Sequence, residues 1–193
     1  MTRDRIFDAA KQILQQDGLS GLSMRRVATQ SGLSPMAIYR HFADKDALIN
    51  ALMADGFAAW EAHVRAIDAP DPMDWLLALC DAFLDFALSD PHRFDAAFFL
   101  PASQARQYPE DFVAGRSPAV ALAMMRIDQA RAAGRLDATP AVDIVLTLSA
   151  TAQGLVSMHR ARRFADDAQF SALFRATAAR ALAAFAPVSG GSE

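Results

Sequence analysis

Apolar positions recur three and four residues apart along most of the chain, and no alternating stretch lasts more than a few residues. That period predicts an all-α fold. Five helix starts share one device, a capping side chain followed by proline at the first helical position: Ser34-Pro35, Asp71-Pro72, Asp90-Pro91, Ser117-Pro118 and Thr139-Pro140. The cap's oxygen accepts a free N–H of the first turn, and proline fits there because it has no N–H to leave unbonded. Gly18 and Gly134 mark stops, and AIDAPDP separates a long fourth helix from a fifth. About nine helices are expected, over 3–17, 23–30, 35–42, 45–67, 72–88, 91–99, 118–133, 140–163 and 167–185, with PASQARQYPEDFVAGR left unassigned. The tail SGGSE has nothing to bury and is expected to be mobile.

Within SMRRVATQSGLSPMAIYRHF the pattern sharpens. A short helix ends at Ser31-Gly32, the turn SGLS follows, and a second short helix begins at Pro35, which is helix-turn-helix spacing. Val27, Ala28, Leu33, Ile38 and Phe42 supply the internal contacts, and Ile6, Ala10, Ile13 and Leu14 give the first helix a matching apolar stripe. At 100° per residue, Ile38 and Phe42 point inward while Met36, Tyr39 and Arg40 lie opposite. A helix of this length, about 12 Å, fits a DNA major groove about 12 Å wide. Pro35, Met36 and Ala37 at its tip are then placed to touch thymine methyls, and Tyr39 and Arg40 to reach phosphates.

Composition narrows the class. The 193 residues are 53% hydrophobic and 21% charged, a globular balance. The single Cys80 cannot form an internal disulfide, no secretory leader is evident, and a reducing cytoplasm is expected. Charges interrupt every helix-length window, so no membrane span is expected. The net charge of −3 argues at first against a polyanionic partner. Its distribution changes that: residues 1–50 hold seven Lys/Arg against five Asp, a net +2, which leaves −5 for the remainder.

Charge placement within the basic head is unusual. Lys45 follows the cap Asp44, and Arg25 and Arg26 follow the cap Ser23, so three cations occupy first turns of helices. A helix N-terminus carries roughly half a positive charge, which makes a cation there unfavourable in isolation but creates an anion site together with the free N–H groups. A DNA phosphate is the anion this arrangement predicts. Candidate chemistry of other kinds is weak. His63, Cys80, His92 and His159 show no CxxC, HxxxH or HExxH spacing, so no metal and no cofactor is expected. There is no GxSxG and no glycine-rich phosphate loop, so no catalytic residue is nominated.

GLSMRRVATQSGLSPMAIYRHFADKDALINAL, Gly21 to Leu52, resembles the DNA-binding signature of the TetR family of bacterial transcriptional regulators, and RDRIFDAAKQILQQDG resembles its first helix. The resemblance implies a homodimeric, ligand-responsive regulator, usually a repressor, released from operator DNA when a small molecule enters the C-terminal domain. It implies that Arg25 can contact a base, that the start of the third helix reads bases, and that Tyr39, His41 and Lys45 hold the backbone. Arg26, Ser34 and Arg40 complete the candidate DNA-binding set. The expected division is a helix-turn-helix domain over 1–46, a ligand-binding and dimerisation domain over 47–187, and a flexible tail over 188–193. The competing reading is an all-α small-molecule-binding protein or enzyme that keeps the head only as a structural element.

In the C-terminal part, Ile144, Val145, Leu148, Ala152 and Leu155 on one long helix, and Leu173, Ala176, Ala179 and Ala183 on the next, form strips that could pair with a second copy in a four-helix interface, or pack on their own chain. Aromatic and methionine side chains at helical spacing are mostly core. Polar groups within apolar stretches need partners, which makes His63, Cys80, Gln153 and His159 pocket candidates. His63, Gln153 and His159, with the aromatic and methionine side chains Trp60, Phe83, Phe98 and Met125, make up the candidate pocket for an apolar or amphipathic effector.

Overall fold

The computed structural model describes residues 2–187, and the expected flexible tail over 188–193 lies outside the described residues. Among the described residues the secondary structure is helical throughout: α1 (Thr2–Gly21), α2 (Met24–Ser31), α3 (Pro35–Tyr39), α4 (Lys45–Arg65), α5 (Pro72–Ser89), α6 (Pro91–Phe98), α7 (Glu110–Val113), α8 (Pro118–Ala132), α9 (Ala141–Arg160) and α10 (Asp167–Ala183). The chain forms two compact units. One comprises residues up to Ala59 together with Asp90–Ala105, the other Trp60–Ser89 and the residues from Arg106 onward.

The first unit is built on a core of Ile6, Ala10 and Ile13 from α1, Val27 and Ala28 from α2, Ile38 from α3, Leu48 and Leu52 from α4, and Ala96 from α6. Burying such side chains is worth roughly 1.5–3 kcal/mol for each of the larger ones, so five helices converge on one small centre. α4 and α6 cross closely, because a Cβ on Gly56 would stand 2.4 Å from the Arg93 carbonyl oxygen and 2.8 Å from the Ala97 nitrogen.

In the second unit α5 packs on α8, α9 and α10, and α9 lies against α10. Trp75, Phe86, Phe170 and Phe174 are fully buried there. Ile144, Val145, Leu148 and Ala152 are also buried within the chain. For these four residues, of the two readings, packing on their own chain holds, whereas Leu155 of the same strip is half-buried.

Several boundaries differ from the pattern. There are ten helices among the described residues rather than nine, the addition being α7, a single turn within the unassigned stretch. α1 continues to Gly21 across a kink at Gly18, whose φ of 64° and ψ of −167° only glycine adopts easily. α3 ends at Tyr39, and Arg40 to Phe42 form a turn whose amides bond back to the Met36 and Ile38 carbonyls. α9 stops at Arg160 because Arg162 turns to a φ of 55° and donates to the His159 carbonyl. Ser117 makes no side-chain cap bond, and Pro140 occupies the capping position of α9 rather than its first turn. α9 also corrects the view that charges interrupt every helix-length window: it is long and apolar enough to cross a membrane by length and composition, with Asp143 the only Asp, Glu, Lys or Arg before its final residue. Ile144, Val145, Leu148, Ala152 and Val156 form its buried face.

Candidate nucleic-acid interface

The helix-turn-helix rests on local bonds that the sequence supplies. Ser23 takes an extended backbone and its Oγ accepts the Arg26 N–H at 3.3 Å, starting α2. Gly32, at φ 63°, ends α2 in the left-handed conformation, so that the Leu33 N–H reaches the Ala28 carbonyl at 3.0 Å. Ser34 then starts α3 by accepting the Ala37 N–H at 3.2 Å, with Pro35 behind it. Arg5 of α1 donates to the Ser31 carbonyl at 2.7 Å and so fixes the turn. Sequence reasoning missed Arg5, because a surface arginine whose partner is a backbone oxygen leaves no spacing signal.

α3 buries Ile38 completely and presents the rest. Met36 is 73% exposed and Tyr39 52%. Ser34, Pro35, Arg40 and His41 are exposed as well, and Ala37 is half-buried. A methionine so uncovered beside a tyrosine is an apolar and hydrogen-bonding surface without an internal role.

The three first-turn cations separate into two kinds. Arg25 is exposed. Arg26 pairs with Asp17 of α1 and donates to the Gly21 carbonyl at 3.5 Å. Lys45 donates to the Leu19 carbonyl at 3.0 Å, just beyond the kink of α1. The cap Asp44 accepts the Ala47 N–H at 2.7 Å, so Lys45 does open α4. An ammonium has three donors, and only one is directed at Leu19.

The pocket candidates fall into separate groups. In the second unit Trp60, 8% exposed, meets Phe83 edge-on at 5.5 Å and stacks with Phe86 at 6.2 Å, while His63 lies 4.9 Å from Phe86. His159 bonds Asp167 at 2.8 Å and stacks on Phe170 at 4.1 Å. Gln153 is half-buried on α9, and Met125 is exposed on α8. Phe98 belongs to the first unit, packed against Phe57 at 5.5 Å and Phe94 at 4.9 Å.

Comparison with known proteins bears on the head and the body separately. Residues 6–52 match the model for bacterial regulatory proteins of the tetR family, and residues 76–181 match that for the tetracyclin repressor-like C-terminal domain. The chain is 43% identical over 78 residues to the HTH-type transcriptional repressor DrrR1 of Streptomyces coeruleorubidus, a match covering 35% of this chain and 29% of that protein. It is 38% identical over 52 residues to the HTH-type transcriptional regulator UidR of Escherichia coli K12, covering 27% and 26%. The chain thus spans little more than a quarter of the length of these curated relatives. Among solved structures, a protein with unknown function from Rhodococcus sp. RHA1 is 27% identical with a TM-score of 0.72, covering 97% of this chain and 96% of that one. A TetR-family transcriptional regulator from Haemophilus influenzae shares the fold at 18% identity and a TM-score of 0.65, covering 94% of each chain. With both its helix-turn-helix and most of its remaining helices matched, the chain belongs to the TetR family of bacterial transcriptional regulators.

Proposed function

We propose that this regulator is a cytoplasmic repressor that binds operator DNA as a homodimer through residues 1–46 and is released when a small apolar or amphipathic effector binds within residues 47–187. The observation that carries the DNA reading is the uncovered face of α3, where Met36 and Tyr39 stand in solvent over a fully buried Ile38. Pro35, Met36 and Ala37 meet base edges, Met36 offering apolar contact to thymine methyls. Ser34, Tyr39, Arg40 and His41 hold phosphates, and Arg25 approaches the duplex from α2. Arg26 and Lys45 complete the set: Arg26 is paired with Asp17, and Lys45, with one donor on the Leu19 carbonyl, has two further donors for a backbone phosphate. The protein performs no catalysis in this role.

The aromatic group of Trp60, His63 and Phe83 supports an effector site in the second unit, with Met125, Gln153, His159 and Phe98 as further candidates. Release needs a differential of about 1–3 kcal/mol between the effector's affinities for the two states.

A salt titration tests the reading. Binding to DNA from the regulator's own upstream region should weaken linearly in log Kd against log salt, with a slope of about −0.9 in log affinity for each phosphate neutralised. A slope near zero, or equal affinity for unrelated DNA at all salt concentrations, would overturn it.

A further inference from the structure

In the first unit one carboxylate meets cations from two other helices. Asp55 of α4 accepts Arg93 Nε of α6 at 2.9 Å, and the same Oδ2 lies 3.5 Å from Lys11 Nζ of α1. Arg93 also reaches the cap Asp90 at 3.3 Å. The hydrogen bond that Arg93 donates to Asp55 holds the Arg93 pKa above its ordinary value, against the opposing effect of desolvation. Lys11 is only 16% exposed, and its other neighbour is a ring, with Nζ 5.8 Å from the Phe7 centroid. Phe7 in turn stacks on Phe42 at 5.8 Å and 25°. Phe42 belongs to the turn that ends α3, its amide bonded to the Ile38 carbonyl at 3.0 Å.

These contacts form one continuous series: α6 through Arg93, α4 through Asp55, α1 through Lys11 and Phe7, and the end of α3 through Phe42. The Arg93 link is a hydrogen bond, the Lys11–Asp55 link an ion pair, the Lys11–Phe7 link a cation over a ring, and the Phe7–Phe42 link a stack of rings. The half-buried ammonium of Lys11 needs an anion, and a neutral amide at position 55 would leave two converging cations without their shared carboxylate. Gly56, next in sequence, brings the α4 and α6 backbones into contact, so α6 has little room to slide on α4.

We propose that Asp55 is a positioning residue for operator recognition: its carboxylate holds α1 and α6 on α4 and, through Lys11, Phe7 and Phe42, fixes the pose of the DNA-reading helix α3. The inference rests on the reading of α3 given above. Its sign is distinctive. Replacing Asp55 by asparagine makes the chain less acidic, so charge alone predicts tighter DNA binding, whereas loss of positioning predicts weaker binding.

The test uses the full chain and variants D55N, D55E and K11M, and the double variant K11M/D55N. Operator affinity is read by fluorescence anisotropy, and hydrogen exchange is read in the free protein. D55N should bind operator about tenfold more weakly, as expected for removal of a coupled contact, with an unchanged salt slope because no phosphate contact is lost. The amides of α1 and α6 should exchange faster together, D55E should recover most of the affinity, and the double variant should bind no more weakly than the worse single one. Should D55N fold poorly, R93Q keeps the Lys11 pair and should speed exchange in α6 alone. Wild-type or tighter binding by D55N, or multiplying effects of K11M and D55N, overturns the proposal. So does unchanged exchange in α1 and α6, a result that stands even if the wild-type protein binds no DNA, which would sink the functional reading instead.

Discussion

Arg25 and Arg26 are neighbours that the structure gives different surroundings. Arg26 spends its guanidinium on Asp17 and Gly21, whereas Arg25 extends from α2 into solvent. Arg25→Ala should therefore lower operator affinity and reduce the salt slope of the homodimer by about two, one for each half-site, while moving stability by less than about 0.5 kcal/mol. Arg26→Ala should do the reverse, costing at most about 1 kcal/mol of stability, as exposed ion pairs do, with a smaller loss of affinity. Parallel anisotropy titrations and thermal melts separate the two, and equal losses of affinity would dissolve the distinction. The sequence could not draw it. Asp17 is nine residues upstream across the kink at Gly18, outside any single-helix period, and the partner of Lys45 is a backbone carbonyl with no residue identity to read. The exposed face of α3 was legible because Ile38, Met36 and Tyr39 sit on one short periodic helix.

Also at the scale of single groups, burial pushes the Cys80 thiol up to about 12 from an ordinary 9.0, with a smaller contribution from Asp81. Above the ordinary value the unfolded chain releases this proton and the folded chain keeps it, so the unfolded state binds fewer protons. Stability from this group is complete below about pH 9 and falls as pH rises toward 12, at up to about 1.4 kcal/mol per pH unit. Chemical denaturation between about pH 8 and about pH 10.5 should show a shallower loss for Cys80→Ala than for the parent chain. Superimposable pH slopes would mean that the thiol is hydrated.

Among the elements, glycines divide by what stands opposite. A methyl group on Gly56 would meet the Arg93 carbonyl at 2.4 Å, a backbone atom that cannot swing aside. Gly56→Ala should therefore destabilise the first unit by about 1–3 kcal/mol. Gly154 in α9 has nothing within 4 Å of the same position, and Gly154→Ala should stabilise the isolated chain by about 0.5–1 kcal/mol through helix propensity. Melting both variants checks the pair, and a neutral Gly56→Ala would show that α4 and α6 part easily. Helix starts were the most legible feature of the sequence. Pro35, Pro72, Pro91 and Pro118 each open a helix, and at Ser117, where no cap bond forms, the fixed φ of proline is enough. Helix ends were less legible. Ile38 and Phe42 share an inward face whether the segment between them is helix or turn, so their spacing could not reveal that α3 stops at Tyr39. The single turn of α7 is too short to carry a period at all.

For the whole molecule, the deciding question is what covers the outer face of α9 and α10. Leu146 and Leu173 are each 43% exposed. Ala150 and Gly154 follow Leu146 at intervals of four on α9, and Ala172, Ala179 and Ala183 are exposed on α10, so small side chains line both helices where another backbone could approach. Two copies meeting here across a twofold axis would bring like position to like position. Ala179→Glu would then set two carboxylates against each other at the interface while leaving the chain's own core of Phe170, Phe174, Ala178 and Leu182 untouched. The parent protein should sediment at twice the 20.8 kDa chain mass at micromolar concentration, and the variant as a monomer with an unchanged helical spectrum. Operator affinity should fall with it, because half-sites about 34–36 Å apart are gripped together only by a dimer. A variant that remains dimeric and binds normally would place the interface on another face, and with it the geometry that lets an effector act on two reading helices at once.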